Sequence, residues 1–249
     1  MTMTMAPAID MTDRKHAFYA EVRRLANAQF ESPQYRRMLA LLLNKARAGK
    51  YALQKGFWQL NRRDCWAFAQ ALSPMDVKAL IWEHELDELS GNPERGVENH
   101  YDLQVRQAAT VGLTREDFER ETLADETLTC LYAWLHLSRS GPWLKSFAAS
   151  AALEVSNSSE WVDGGGISYR WGKKQERELG IPFDKQVNAK EHAEVDVAHS
   201  GILTQVVERH CDTPEKLDLV LTGLNESWAI DRTWKGVLTD LMEAVPGPS

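Results

Sequence analysis

His192, Asp196 and His199 carry the pattern most able to do chemistry in this chain. They lie in Asn188-Ala189-Lys190-Glu191-His192-Ala193-Glu194-Val195-Asp196-Val197-Ala198-His199, which has no proline or glycine and reads as helix. Offsets of four and seven residues stack the three side chains on one helix face over two turns. Two imidazoles and a carboxylate on one face form a borderline-hard ligand set. It suits iron, manganese or zinc better than calcium or magnesium. The bland alternative for this segment is a polar face with two solvated histidines.

Partners for such a set must come from facing helices. Ile81-Trp82-Glu83-His84-Glu85-Leu86-Asp87-Glu88-Leu89 is dense in charge. It offers Glu88 as a candidate, while His84 and Glu85 read better as part of a solvated acidic face. His100 opens an otherwise apolar-periodic helix with Leu103, Val105, Ala108 and Val111. Glu154 ends Phe147-Ala148-Ala149-Ser150-Ala151-Ala152-Leu153, a run small and apolar enough to be buried. A carboxylate at the end of such a run is costly unless paired, metal-bound or able to reach solvent. His136 reads as a satisfied core or rim histidine and not a ligand, and His16 and His210 read as surface residues. Trp143 and Phe147 line either a pocket or the core, with core the simpler reading.

Helical periodicity dominates the elements that must position these residues, and strand signals are nearly absent. Helices are expected over 12–30, 33–48 and 54–71, then from Ser73-Pro74 to about Leu89, with serine as cap and proline at the first turn. Gly91-Asn92-Pro93 breaks that run. A further helix runs to Val111, a short one opens at Thr114 with Asp117 three residues on, and others cover 125–139 and 142–155. Asn157 to Gly180 is the least regular stretch. Asp163-Gly164-Gly165-Gly166 follows no strand and reads as a turn, not a phosphate loop. The motif helix runs from after Ile181-Pro182 to about Cys211, and Thr213-Pro214 caps a last helix to about Ala244. Eight to ten helices with short connections imply one all-α bundle over 12–244. Residues 1–11 read as a disordered lead and 245–249 as a frayed end.

Composition bounds the function classes. The 249 residues are 43% hydrophobic and 26% charged, with a net charge of −7. That balance argues against a nucleic-acid partner. No stretch approaches a membrane span. Cys65, Cys130 and Cys211 are odd in number and far apart, as in a reduced cytoplasmic protein.

The order Asp-Glu, then His at the next helix start, then Glu after a small-residue helix, then His-x3-Asp-x2-His resembles the haem-oxygenase-like diiron oxidases. These share an all-α fold with the thiaminase-type proteins and pyrroloquinoline-quinone synthase. Members include a chlamydial protein that makes para-aminobenzoate, a fatty-acid decarboxylase that forms terminal alkenes, and enzymes that N-oxygenate or fragment amino acids. The resemblance spans about 15–240. It implies a haem-oxygenase-like bundle with a metal site in its core, two non-haem irons on Glu88, His100, Glu154, His192, Asp196 and His199, and O2 as co-substrate. It further implies no catalytic residue beyond the ligands, an external electron donor, and a small carboxylate or amino-acid-like substrate. The outcome would be C–C or C–N cleavage, desaturation or N-oxygenation. A homodimer is compatible with it. The chain departs from the family pattern in one region: Glu88 and His100 are twelve residues apart, with Asn92-Pro93 inserted. Glu85 therefore stands as a substitute first ligand. Val97 occupies a place where some members carry another glutamate, so a seventh ligand is not expected. The competing readings are a metal-free thiaminase-like hydrolase using Cys130, a cofactor-free oxidase on the same fold, and a non-enzymatic helical interaction protein.

Overall fold

Helix-capping chemistry sets most of the boundaries in this chain. The computed structural model describes residues 11–248, apart from the side chains of residues 196–198. Its eleven α-helices are α1 (Met11–Phe30), α2 (Pro33–Ala40), α3 (Lys45–Leu72), α4 (Met75–Ser90), α5 (His100–Ala108), α6 (Arg115–Arg120), α7 (Asp125–Arg139), α8 (Trp143–Asn157), α9 (Ile167–Leu179), α10 (Val187–His210) and α11 (Pro214–Glu243). There is no strand among the described residues, only a single antiparallel bridge between Asn92 and Val97. None of the described helices is long and apolar enough to cross a membrane.

Thr213 accepts a hydrogen bond from the Lys216 amide and is followed by Pro214, as expected of a capped start. Thr114 and Asp117 form a reciprocal capping box. Three expectations change. The helix expected over 33–48 ends at Ala40, and α3 then runs from Lys45 to Leu72, because Asn44 caps the Arg47 amide. Ser73 closes α3 instead of opening α4, whose cap position is Pro74 without a side-chain bond. The irregular stretch contains a true helix, α9. Of the expected lead, residues 1–10 lie outside the described residues. Residues 245 and 246 are tied to α3 by Arg47 and Asn44.

The core is built around α8 and α11. Their approach is close because a Cβ at Gly223 would lie 2.3 Å from the Lys145 carbonyl oxygen. Trp228 locks the pair by donating its indole N–H to the Ala152 carbonyl at 2.9 Å. Trp66, Trp134, Trp228 and Trp234 are fully buried, so the bundle core absorbs much of the tryptophan content. Helices α3, α4, α5, α8 and α10 pack against one another beside this apolar frame.

Candidate metal centre

Helix α4 is amphipathic in the opposite sense to its composition. Val77, Ile81, His84, Glu85 and Glu88 face inward and are buried, at offsets that share one helix face. Trp82, Leu86 and Leu89 face solvent at 64%, 54% and 58% exposure. The expectation that His84 and Glu85 lie on a solvated acidic face is therefore corrected. The exposed apolar residues disguise which side turns inward.

The connection from α4 to α5 brings Glu88 back to His100. Gly91 takes φ +68°, and a Cβ there would sit 2.3 Å from the Val97 carbonyl oxygen. The paired amides and carbonyls of Asn92 and Val97 close the reversal at 2.9 Å. Asn99 caps α5 through the Asp102 amide, and Gln59 of α3 holds the His100 carbonyl at 2.7 Å. The twelve-residue separation is thus spanned by a closed turn, and Glu88 Oε1 lies 2.9 Å from His100 Nδ1.

Helix α8 delivers Glu154, and α10 delivers His192 and His199. Glu154 and His192 are buried, and the His199 side chain is 10% exposed. Helix α10 is pinned to α5 by Asn188 on Gln104 and by the Ala189 amide on Gln107. Two groups of donors result among the described residues, each with atoms within 4.8 Å of one another. One is His84, Glu88, Glu154 and His199. The other is Glu88, His100 and His192. Glu88 belongs to both. Five of the six expected ligands are thereby brought together. The backbone of Asp196 is part of α10, but its side chain lies outside the described residues. His84 joins the set although the sequence reading set it aside. The signal that could have found it is His84-x3-Glu88, one helical turn apart on a common face.

Glu85 stands behind the centre, not in it. Its Oε1 lies 3.0 Å from His84 Nδ1 and accepts from Arg63 at 2.8 Å. Arg63 also pairs with Glu88 Oε2 at 3.0 Å. Burial alone would raise the Glu88 carboxyl, but Arg63 and His100 outweigh it and hold it well below the usual carboxylate range. Asp87 lies 3.3 Å from His199 Nε2, and that hydrogen bond lowers its own carboxyl despite partial burial. Glu98, beside Val97, faces outward and pairs with Arg106.

The donor set fits a transition-metal ion, and His84 supplies a direct test. In the neutral ring, Nδ1 carries the proton when it faces the Glu85 carboxylate, which directs the Nε2 lone pair inward. Nε2 makes no hydrogen bond and lies 3.6 Å from Glu154 Oε1. A lone pair facing a carboxylate is repulsive unless a proton or a cation lies between them. Burial would lower the His84 ring, yet Glu154 and Glu85 raise it above the ordinary histidine value, the direction expected where positive charge is favoured.

A cavity of about 50 Å3 touches the centre on the side of Glu88, Glu154 and His192, and extends to Trp58, Trp234 and Asp231. A more open cleft of about 190 Å3 reaches His84 and His199 from the other side. Phe147 is not part of either. It packs against Trp66 in the core, and Trp143 packs against His210.

Comparison with known proteins agrees with this architecture. The family model described as iron-containing redox enzyme matches residues 50–232. A domain of unknown function with a haem oxygenase-like fold from Shewanella denitrificans superposes with a TM-score of 0.69 at 17% identity, covering 95% of this chain and 93% of that one. A CADD-like protein of unknown function from Nostoc punctiforme gives 0.70 at 16% identity, with 93% and 98% covered. A TenA homolog from Pseudomonas syringae gives 0.62 at 14% identity, with 91% of each chain covered. No curated protein matches the chain.

Proposed function

The chain belongs to the haem-oxygenase-like family of iron-containing redox enzymes, and from that premise we propose that it is an O2-dependent oxidase or oxygenase with two non-haem irons. The observation that carries this reading is the sharing of Glu88 between two buried groups of imidazole and carboxylate donors. A single structural metal has no need of a second group at hydrogen-bonding range from the first. One ion would be held by His84, Glu154 and His199 and the other by His100 and His192, with Glu88 within reach of both, and Asp196 is proposed as a further ligand from its place on α10. Ferrous iron bound there supplies the electrons that reduce O2.

The protein's own groups prepare that site. Glu88 is ionised at neutral pH because Arg63 and His100 overcome the cost of its burial. Glu85 turns His84 so that Nε2 points inward, and Asp87 does the same from outside for His199. Such outer partners fix ring orientation and raise ligand basicity. The substrate is a small carboxylate or amino-acid-like molecule, by analogy with the family.

The thiaminase-like alternative needs a thiolate at Cys130. That thiol is buried, and burial together with nearby Asp231 pushes it up to about 11, so it is neutral at physiological pH. Anaerobic titration with Fe(II), followed by exposure to O2, tests the proposal through iron stoichiometry and O2 uptake. Two irons per chain and rapid O2 consumption are expected. Absence of iron binding would overturn it.

A further inference from the structure

Arg62 carries one observation that the proposed chemistry does not use. It sits on α3 in the middle of the bundle at 1% exposure. One Nη donates to the Ser150 carbonyl of α8 at 2.6 Å. Its Nε and the other Nη are buried and make no hydrogen bond. The nearest carboxylate oxygen, Glu154 Oε1, is 3.9 Å away, beyond hydrogen-bonding range. The Cys65 thiol is held neutral by burial, although Arg62 pulls it the other way. A guanidinium has five N–H donors in a planar fork, and buried donors without acceptors are unfavourable.

Arg62 lines the cavity that meets the candidate metal centre, and it is not alone there. Trp58 and Trp234 line the same space, and their indole N–H groups are buried without an acceptor. Their rings stack at 5.3 Å and 15°. Lys55, Arg62, Arg63 and Lys235 line this cavity; Arg63 pairs with Glu85 and Glu88 and Lys235 with Asp231, whereas the nearest carboxylate oxygen to Arg62 is 3.9 Å away. The cavity's carboxylates are spoken for. Glu88 and Glu154 belong to the donor groups of the centre. Asp231 accepts from Lys235 at 2.9 Å and from the Tyr35 hydroxyl.

We propose that Arg62 anchors the carboxylate of a substrate that has no neighbouring ammonium group, so that the cavity takes plain carboxylic acids in preference to α-amino acids. This rests on the oxidase reading only for what happens to the bound acid, not for its binding. A carboxylate supplies in-plane acceptors that match the guanidinium fork. An α-ammonium would need a carboxylate or a cluster of carbonyls beside that anchor, and among the described residues the only cavity carboxylate outside the centre, Asp231, is already paired with Lys235. The anchored end would lie next to Glu154, which places the adjoining carbons at the centre.

The test is equilibrium binding to the full-length protein, with and without Zn(II), followed by tryptophan fluorescence. The probes are butanoate, butanamide and 2-aminobutanoate, and the same three forms of the six-carbon chain. In at least one chain length the acid should bind about tenfold or more tighter than both its amide and its amino acid, as expected for charge-assisted bonds. R62Q should abolish the preference, and R62K should keep part of it. Equal binding of acid and amide in both lengths, tighter binding of the amino acid, or an acid preference that survives R62Q would overturn the inference. The wild-type comparison decides the matter even if R62Q fails to fold. Normal iron uptake and O2 consumption without acid preference sinks only the role of Arg62. Acid preference without iron uptake sinks only the oxidase reading.

Discussion

Replacing Glu88 by Gln should empty both metal positions, whereas replacing His192 by Ala should empty one. The contrast follows from the geometry, since Glu88 is common to both donor groups and His192 belongs to one. Two opposite unit charges 4 Å apart attract by about 4 kcal/mol at an effective dielectric of ~20. A carboxylate in contact with a divalent ion exceeds that before desolvation is counted, so about 4 kcal/mol is a working figure for each ion. That corresponds to roughly a thousandfold loss of affinity at each position. Even the loss of a group behind the ligands typically costs about 10–100-fold. Glutamine keeps the size of Glu88 and an acceptor for His100, and Arg63 retains Glu85 at 2.8 Å, so the fold should survive in E88Q. Iron per chain would be measured by elemental analysis after anaerobic loading at micromolar free Fe(II), with circular dichroism as a control for folding. Wild type is expected near two, H192A near one and E88Q near zero. A folded E88Q variant with full iron, or equal losses in E88Q and H192A, would refute the shared role of Glu88.

Asp196 lies four residues after His192 and three before His199 on one face of α10, so D196N should reduce iron at both positions and abolish O2 uptake at unchanged helix content. Iron analysis beside an oxygen electrode checks this. Cys130 and Cys211 are both pushed up to about 11 by burial. The thiols stay protonated below that value and yield thiolate only as pH rises towards it. Folded protein should therefore resist iodoacetamide at pH 8, as read by intact mass, and C130S should keep iron and O2 uptake. G91A must force a side chain into φ +68° and against the Val97 carbonyl. Strain of this kind costs about 1–3 kcal/mol, so the melting temperature should fall by roughly 5 °C, and iron binding should weaken because the turn sets Glu88 against His100.

The bundle was legible where local chemistry is decisive. Thr213-Pro214 and Thr114-x2-Asp117 mark helix starts that need no tertiary information. The break at residues 41–44 was hidden because Leu41-Leu42-Leu43 prolongs the apolar run of the preceding helix, and only Asn44 signals a new start. Helix α9 was hidden by the glycines before it. Three of its buried residues, Gly172, Lys174 and Gln175, look like a surface stretch in one dimension. His192 and His199 stand out because their spacing alone puts them on one face of α10, where each joins a group of donors. His84 does not, since the phase of α4 is set by what packs against it. With Trp82, Leu86 and Leu89 turned outward, hydrophobicity points to the wrong face. Arg62 and Arg63 escaped notice for a related reason. A pair of arginines in the middle of a helix reads as solvated until burial is known.

Two buried polar clusters in this bundle show why the one at Glu88 calls for a cation. Around Asp231, the account closes within the protein. Lys235 donates to it at 2.9 Å and Tyr35 donates its hydroxyl, so one negative charge meets one positive charge. Around Glu88, three carboxylates, Glu85, Glu88 and Glu154, share Arg62 and Arg63 within ion-pair range, and Asp87 adds a further, partly exposed negative charge. Buried charge without a partner costs several kcal/mol per group, and apolar residues of similar size would hold these helices together at no such cost. A purely structural role would therefore favour the first kind of cluster. The carboxylates around Glu88, with imidazole nitrogens beside them, form a site that a divalent ion would balance.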